Sequence, residues 1–124
     1  VSFFVSEDDR VSTISKEFKE WIKDHRSYAQ EVTMIPKSLT QILDQYLPLS
    51  QKIDLLTIDV EGHDYDVLIS NNFDKYRPEV ICIEDHTFSF NNINGNAICS
   101  FLFDRNYELQ GYAYPNLFFK TKLI

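Results

Sequence analysis

The most apolar segment of this 124-residue chain reads Ile53-Asp54-Leu55-Leu56-Thr57-Ile58-Asp59-Val60-Glu61-Gly62. Its nearly continuous β-branched and aliphatic run is typical of a strand that is buried on both faces of a parallel sheet. Gly62 then allows the chain to turn sharply. A second run of the same kind follows Pro78 and covers residues 79–84. We therefore expect two neighbouring parallel strands at the centre of the fold.

Outside these two strands, helical and extended patterns alternate. Apolar residues spaced three and four apart predict a helix around residues 18–25, and Ser38-Leu39-Thr40-Gln41 has the form of a capping box that starts a second helix, which Pro48 ends. Helices are also expected over residues 65–71 and 97–105, and strands over 1–6, 32–35, 107–112 and 117–121. This order predicts an α/β fold in a single domain, residues 1–124, with a mainly parallel sheet and a C-terminal antiparallel hairpin.

Composition and charge exclude several classes of partner. Nineteen acidic residues against twelve basic ones give a net charge of −7, which disfavours nonspecific binding to nucleic acid or to an anionic membrane. No apolar run approaches the ~20 residues of a membrane span. Cys82 and Cys99 lie in apolar segments and match no metal or redox spacing, so we expect reduced thiols in a cytoplasmic protein.

Ionisable side chains follow both central strands at their carboxyl ends. Asp59 and Glu61 follow the first strand, and Glu84, Asp85 and His86 follow the second. Adjacent parallel strands lie about 4.8 Å apart, so these groups are expected to line one crevice. Gathering them there costs desolvation energy unless a cation, a proton or a polar ligand offsets it. The pattern favours general acid–base chemistry, or the positioning of a ligand's hydroxyl or amino groups.

Two other interpretations of these acids remain open. Asp59 and Glu61 are also placed to cap the following helix, where carboxylates gain about 0.3–1 kcal/mol from the helix dipole. Together with Glu84 and His86 they have the ligand types of a metal-dependent hydrolase, but their spacing is not diagnostic and we assign no metal. The three glycines stand alone, and the sequence contains no glycine-rich phosphate loop and no nucleophile motif.

Residues 53–68 resemble the central motif of the FkbM family of S-adenosylmethionine-dependent methyltransferases, an Ile-Asp-x-Leu-x-Ile-Asp-Val-Glu-Gly strand followed by a helix. The similarity continues through Lys75-Tyr76-Arg77-Pro78 and Val80-Ile81-Cys82-Ile83-Glu84, and it covers about Val32 to Lys120. The resemblance implies a Rossmann-like class I methyltransferase fold and a bacterial, cytoplasmic protein.

The chain differs from the family pattern at several positions, and these differences lead to further predictions. Thr40 stands where the family usually has Asp, and Thr57 where many members have Lys. The family's Asp-x-Gly-Ala-Asn-like loop and the acidic residue that ends its second strand are absent. The resemblance therefore implies the C-terminal portion of a methyltransferase domain without its N-terminal cofactor-binding half. The first central strand is then expected to have an exposed edge, which favours aggregation, the formation of a homodimer, or pairing with a partner chain that fills the gap.

The same resemblance implies roles for the acids of the crevice. The parent protein is expected to methylate a sugar hydroxyl of a glycan or a secondary metabolite, and this chain alone is expected to be inactive. Asp59 and Gly62 border the cofactor, Asp59 also orients the acceptor, and Glu84 or His86 accepts the hydroxyl proton. Glu61 completes the expected catalytic set. The alternative is a catalytically silent interaction or oligomerisation module that binds no cofactor.

Overall fold

A computed structural model describes residues 2–6, 20 and 28–122. The helix that the sequence predicts around residues 18–25 lies outside these residues, except for Glu20. The strands are β1 (Ser2–Ser6), β2 (Tyr28–Thr33), β3 (Leu55–Ile58), β4 (Val80–Glu84), β5 (Tyr107–Ala113) and β6 (Asn116–Thr121). The helices are α1 (Leu39–Tyr46), α2 (Asp64–Ile69) and α3 (Ala97–Phe103).

The chain divides into two compact units. The first consists of residues 1–37 and 60–63, and the second of residues 38–59 and 64–124. In the first unit β1 and β2 pair antiparallel, with Ser2 opposite Thr33. The predicted strand over residues 1–6 is thus confirmed, whereas the short run predicted over 32–35 is the end of a strand that begins earlier, at Tyr28.

The second unit contains a four-stranded sheet in the order β3-β4-β6-β5. β3 and β4 are parallel, as predicted, but β6 pairs antiparallel with both β4 and β5. The prediction of a mainly parallel sheet was therefore wrong: the sheet is mixed, because the C-terminal hairpin supplies two of its four strands. The α/β class and the antiparallel hairpin are confirmed.

The first central strand is shorter and less buried than the sequence predicts. β3 has four residues, of which only Ile58 is buried, and Leu55 is 59% exposed. The prediction of burial on both faces was wrong: Leu55 and Thr57, which share one face of β3, are exposed, and only the face that carries Leu56 and Ile58 packs toward the core. β4, which has a strand on each side, buries Ile81 and Ile83 completely.

Helix α1 begins with the predicted capping box. The hydroxyl of Ser38 accepts a hydrogen bond from the Gln41 amide at 3.1 Å, and the Ser38 amide donates to Gln41 Oε1 at 2.9 Å. Thr40 ties this first turn to the end of α2, because its hydroxyl donates to the Ser70 carbonyl and accepts from the Asn72 amide. The aspartate that the resemblance implies at this position has no hydrogen to donate to that carbonyl when it is ionised.

The core of the second unit lies between the sheet and helices α2 and α3. Tyr107 is fully buried and its hydroxyl donates to the Pro78 carbonyl at 2.5 Å, and burial raises the pKa of Tyr107 to about 12. Cys82 and Cys99 are free thiols; Cys99 is buried, and Cys82 is only half-buried. Within the described residues, no helix has both the length and the apolarity needed to cross a membrane. The fully buried side chains also include Leu68, Leu102, Leu117 and Phe119.

Candidate active site

The register of the two parallel strands brings one acid from each strand end together. Ile58 of β3 pairs with Ile83 of β4, so the next residues, Asp59 and Glu84, come level with each other. Their carboxylate oxygens lie within 4.8 Å. Two negative charges at this separation repel each other and favour a cationic group beside them. The geometry thus joins the two acids, as the sequence predicts.

Glu84 also holds His86, which the sequence assigns to the same site. The imidazole Nε2 lies 3.0 Å from Glu84 Oε1, with the carboxylate side chain 14% exposed and the imidazole side chain 59% exposed. The other ring nitrogen, Nδ1, lies 3.2 Å from the hydroxyl of Tyr114. An ionised carboxylate only accepts hydrogen bonds, so the tautomer with its hydrogen on Nε2 donates to Glu84 and leaves Nδ1 to accept from the hydroxyl of Tyr114.

Tyr114 contacts this site through His86, although no pattern in the sequence points to it. It lies in the turn between β5 and β6, and β6 pairs with β4 so that Asn116 is opposite Glu84. The Asp85 amide also donates to the Pro115 carbonyl at 2.9 Å. The turn therefore lies at the same edge of the sheet as the carboxyl end of β4. The position of Tyr114 beside His86 follows from the pairing of β6 with β4. The sequence alone predicts the hairpin but not that pairing.

Asp85 has a structural role next to the site. Its carboxylate accepts from the Thr87 amide at 2.8 Å, from the Thr87 hydroxyl at 2.7 Å and from the Asn96 side chain at 2.6 Å. Burial raises the pKa of Asp85, but the hydrogen bonds from Thr87 and Asn96 outweigh it and leave the pKa below its usual value. Asn96 in turn caps α3 by accepting from the Cys99 amide. Asp85 thus fixes the loop after β4 to α3.

Glu61 and Gly62 lie in the turn after β3, in the segment 60–63 that belongs to the first unit. Both have left-handed backbone conformations, with φ of 52° and 96°. A Cβ on Gly62 meets no atom within 4 Å, so the backbone conformation rather than crowding favours glycine here. Glu61 does not continue the side-chain alternation of β3, which ends at Ile58. The acids in the first turn of α2 are Asp64 and Asp66, not Asp59 and Glu61.

The cavities of the second unit that we find lie away from this edge. Three open cavities of about 360, 570 and 450 Å³ occur near the opposite ends of β3 and β4. The largest includes Asn71, Asp104 and both Arg77 and Arg105 in its lining. Both arginines make structural contacts in this lining. Arg77 donates to the Arg105 carbonyl at 2.6 Å, and the Arg105 guanidinium lies 3.6 Å from the centre of the Phe101 ring.

Fold and site together define an α/β domain with polar and ionisable side chains gathered at the carboxyl ends of two parallel strands. A family model described as the methyltransferase FkbM domain matches residues 2–109. The chain therefore belongs to the FkbM methyltransferase family, and the resemblance seen in its sequence is confirmed at the level of the family. No curated protein and no solved structure matches the chain.

Proposed function

We propose that the protein transfers a methyl group from S-adenosylmethionine to a hydroxyl oxygen of a sugar unit, in a glycan or a secondary metabolite. Membership of a methyltransferase family supports the reaction class. The observation that carries the proposal is the hydrogen-bonded series Glu84–His86–Tyr114, which ends in an exposed phenol at the edge of the sheet where Asp59 lies. Ligands of open α/β sheets bind at such edges.

The residues at this edge fit part of the cofactor. When bound, S-adenosylmethionine supplies a methyl group on a positively charged sulfur, and its methionine end carries an ammonium group. The carboxylates of Asp59 and Glu84 offer two negative charges within 4.8 Å of each other, which suits such a cation. We assign Asp59 to the border of this part of the cofactor.

The Glu84–His86–Tyr114 series supplies a route for the proton of the acceptor hydroxyl. The exposed Tyr114 oxygen accepts a hydrogen bond from that hydroxyl while its own hydrogen points at His86 Nδ1. As the acceptor oxygen loses its proton to Tyr114, the phenol hydrogen passes to Nδ1, so the proton ends on the imidazole. Glu84 stabilises the resulting imidazolium through Nε2. Orienting the acceptor oxygen toward the methyl group supplies the rest of the rate enhancement.

We further propose that the adenosine part of the cofactor binds to residues outside these 124, which makes the chain the C-terminal portion of a larger methyltransferase domain that is inactive by itself. Two observations support this. The three glycines are isolated, so the sequence holds no glycine loop. The outer side of β3 has no described partner strand, and Leu55 on that strand is 59% exposed.

The open side of β3 also favours a second candidate, a catalytically silent module that forms a homodimer through this edge. Strand pairing across the edge is expected to cover the backbone groups of Leu55 and Thr57. The two candidates differ in one property: a silent module binds no cofactor in any form of the protein. Cofactor binding by the larger domain therefore separates them.

Asp59 provides the test of the proposed site. In a form of the protein that methylates, Asp59→Asn is expected to raise the KM for S-adenosylmethionine by about 10- to 100-fold, because a charge-assisted contact of about 1.5–3 kcal/mol is lost. The measurement is release of S-adenosylhomocysteine at varied cofactor concentration.

Asp54→Asn is the matched control, since Asp54 is an exposed aspartate at the other end of the same strand. It is expected to leave KM and kcat unchanged. If the Asp59 variant and the unaltered protein have the same KM and kcat, Asp59 is not part of the cofactor site.

A further inference from the structure

The loop between β4 and α3 contains the only Asn-Gly pair of the sequence, Asn94-Gly95. The two residues are the central positions of a turn, in which the Asn96 amide donates to the Ile93 carbonyl at 3.2 Å. Both are exposed and lie outside every helix and strand. Asparagine is chemically labile, and a following glycine has no side chain to keep its own amide nitrogen away from the asparagine side chain. The pair therefore places a reactive amide beside an accessible nucleophile.

Neither reacting group is held by the protein. Among the residues that the structure describes, none accepts a hydrogen bond from the Gly95 amide, and none is hydrogen-bonded to the side-chain amide of Asn94. A Cβ on Gly95 would lie 2.3 Å from Oδ1 of Asn92, so the loop in this conformation accommodates only glycine there unless Asn92 moves. The fold thus requires the glycine of the labile pair and leaves both reacting groups exposed.

We propose that Asn94 deamidates spontaneously in the folded protein, with the backbone nitrogen of Gly95 as the nucleophile. This nitrogen bonds to Cγ of Asn94, and its proton passes through water to the side-chain nitrogen, which leaves as ammonia. The resulting succinimide takes up a water molecule and opens at either of its carbonyls, which yields aspartate or isoaspartate. Water is the sole co-reactant, and the reaction involves neither the cofactor nor the acceptor of the proposed function.

The modification is expected to reach the candidate site through Asn96. The Asn96 side chain donates to Asp85, the neighbour of His86, at 2.6 Å and accepts from the Cys99 amide at 2.9 Å. Both products place a new carboxylate two residues before Asn96, and isoaspartate also lengthens the main chain by one carbon within the turn that Ile93 and Asn96 close. We therefore expect the isoaspartyl form to lose the contact between Asn96 and Asp85.

Peptide mass spectrometry on the folded 124-residue chain tests the reaction during incubation at physiological temperature. We expect Asn94 to gain the mass of an NH2-to-OH exchange about tenfold or more faster than Asn92, because Asn92 precedes the β-branched Ile93. The rate is expected to rise from mildly acidic to mildly alkaline buffer, since the Gly95 nitrogen attacks after it loses its proton. A protease that cleaves before aspartate but not before isoaspartate distinguishes the two products.

Asn94→Gln is the matched control, because it keeps an exposed side-chain amide that would have to close a larger ring. It is expected to show no mass gain at this position. Fresh samples of both chains are expected to unfold at the same temperature, and the aged unaltered chain at a lower temperature than the aged variant.

The unaltered chain alone can overturn the inference, because Asn92 is its internal control. A mass gain at Asn94 that occurs in the urea-unfolded chain but not in the folded one, no gain in either, or equal rates at Asn94 and Asn92 would each contradict it. An unfolding temperature that stays constant as isoaspartate accumulates would contradict the proposed effect on Asn96.

Discussion

Replacing His86 with alanine is expected to lower kcat for methyl transfer by a factor of about 10²–10⁴, the usual contribution of a general base. The reason is that His86 Nδ1 is the proposed final acceptor of the proton, while Glu84 lies 3.0 Å from Nε2. The KM for S-adenosylmethionine is expected to change less than in the Asp59 variant, because the imidazole reaches the proposed cofactor charges only through Glu84.

S-adenosylhomocysteine release, measured with methyl β-D-glucopyranoside as acceptor in a form of the protein that methylates, provides kcat and KM. Tyr114→Phe removes only the hydroxyl of the relay and is expected to lower kcat in the same direction. Tyr46→Phe is its control, since it deletes a phenol of equal exposure on α1. A His86 variant with unaltered kcat would show that the hydroxyl proton leaves by another route.

Truncating Phe119 is expected to have the largest effect on stability. This side chain is fully buried in β6, between Ile81 of β4 and Leu109 of β5 in the strand register. Its ring also lies 6.3 Å from that of Phe103. Phe119→Ala is expected to lower the free energy of unfolding by about 3–5 kcal/mol, through lost burial and the cavity that remains. Domains of this kind are stable by about 5–15 kcal/mol, so much of the protein is expected to unfold at moderate denaturant concentrations.

Phe118 offers a control on the same strand. Neighbouring side chains of a strand point to opposite faces, and Phe118 is 37% exposed. Phe118→Ala is expected to cost about 1 kcal/mol, within the ordinary range for partly exposed positions. Denaturant unfolding followed by circular dichroism measures both variants. Equal losses would mean that the core does not lie on the face of the sheet where the structure has it.

Local patterns explain why part of the fold was predictable. The capping box at Ser38 and the apolar run of β4 depend on residues close in sequence, and both form where the sequence indicates them. The burial of β3 was predicted incorrectly because it depends on what packs over each face of the sheet, which a single run of apolar residues does not reveal. The same holds for the mixed sheet, since no local signal says that β6 pairs with β4.

In the candidate site too, local sequence patterns predict some features, whereas others depend on how the strands are ordered. Asp59 and Glu84 were recognisable because each ends a strong strand pattern, and a parallel register brings such ends together. The contact between His86 and Tyr114 joins residues 28 positions apart through the hairpin, so only the strand order reveals it. Asp85, by contrast, has the residue type expected of a site but serves to fix a loop through Thr87 and Asn96.

The most direct measurement is a calorimetric titration with S-adenosylmethionine and S-adenosylhomocysteine, made on the 124-residue chain and on a chain extended at its N-terminus. We predict no detectable binding by the 124 residues and micromolar affinity, about −8 kcal/mol, for the extended domain. Micromolar binding by the 124-residue chain would contradict a cofactor site that other residues complete. No binding by the extended domain would contradict the proposed methyltransferase activity itself.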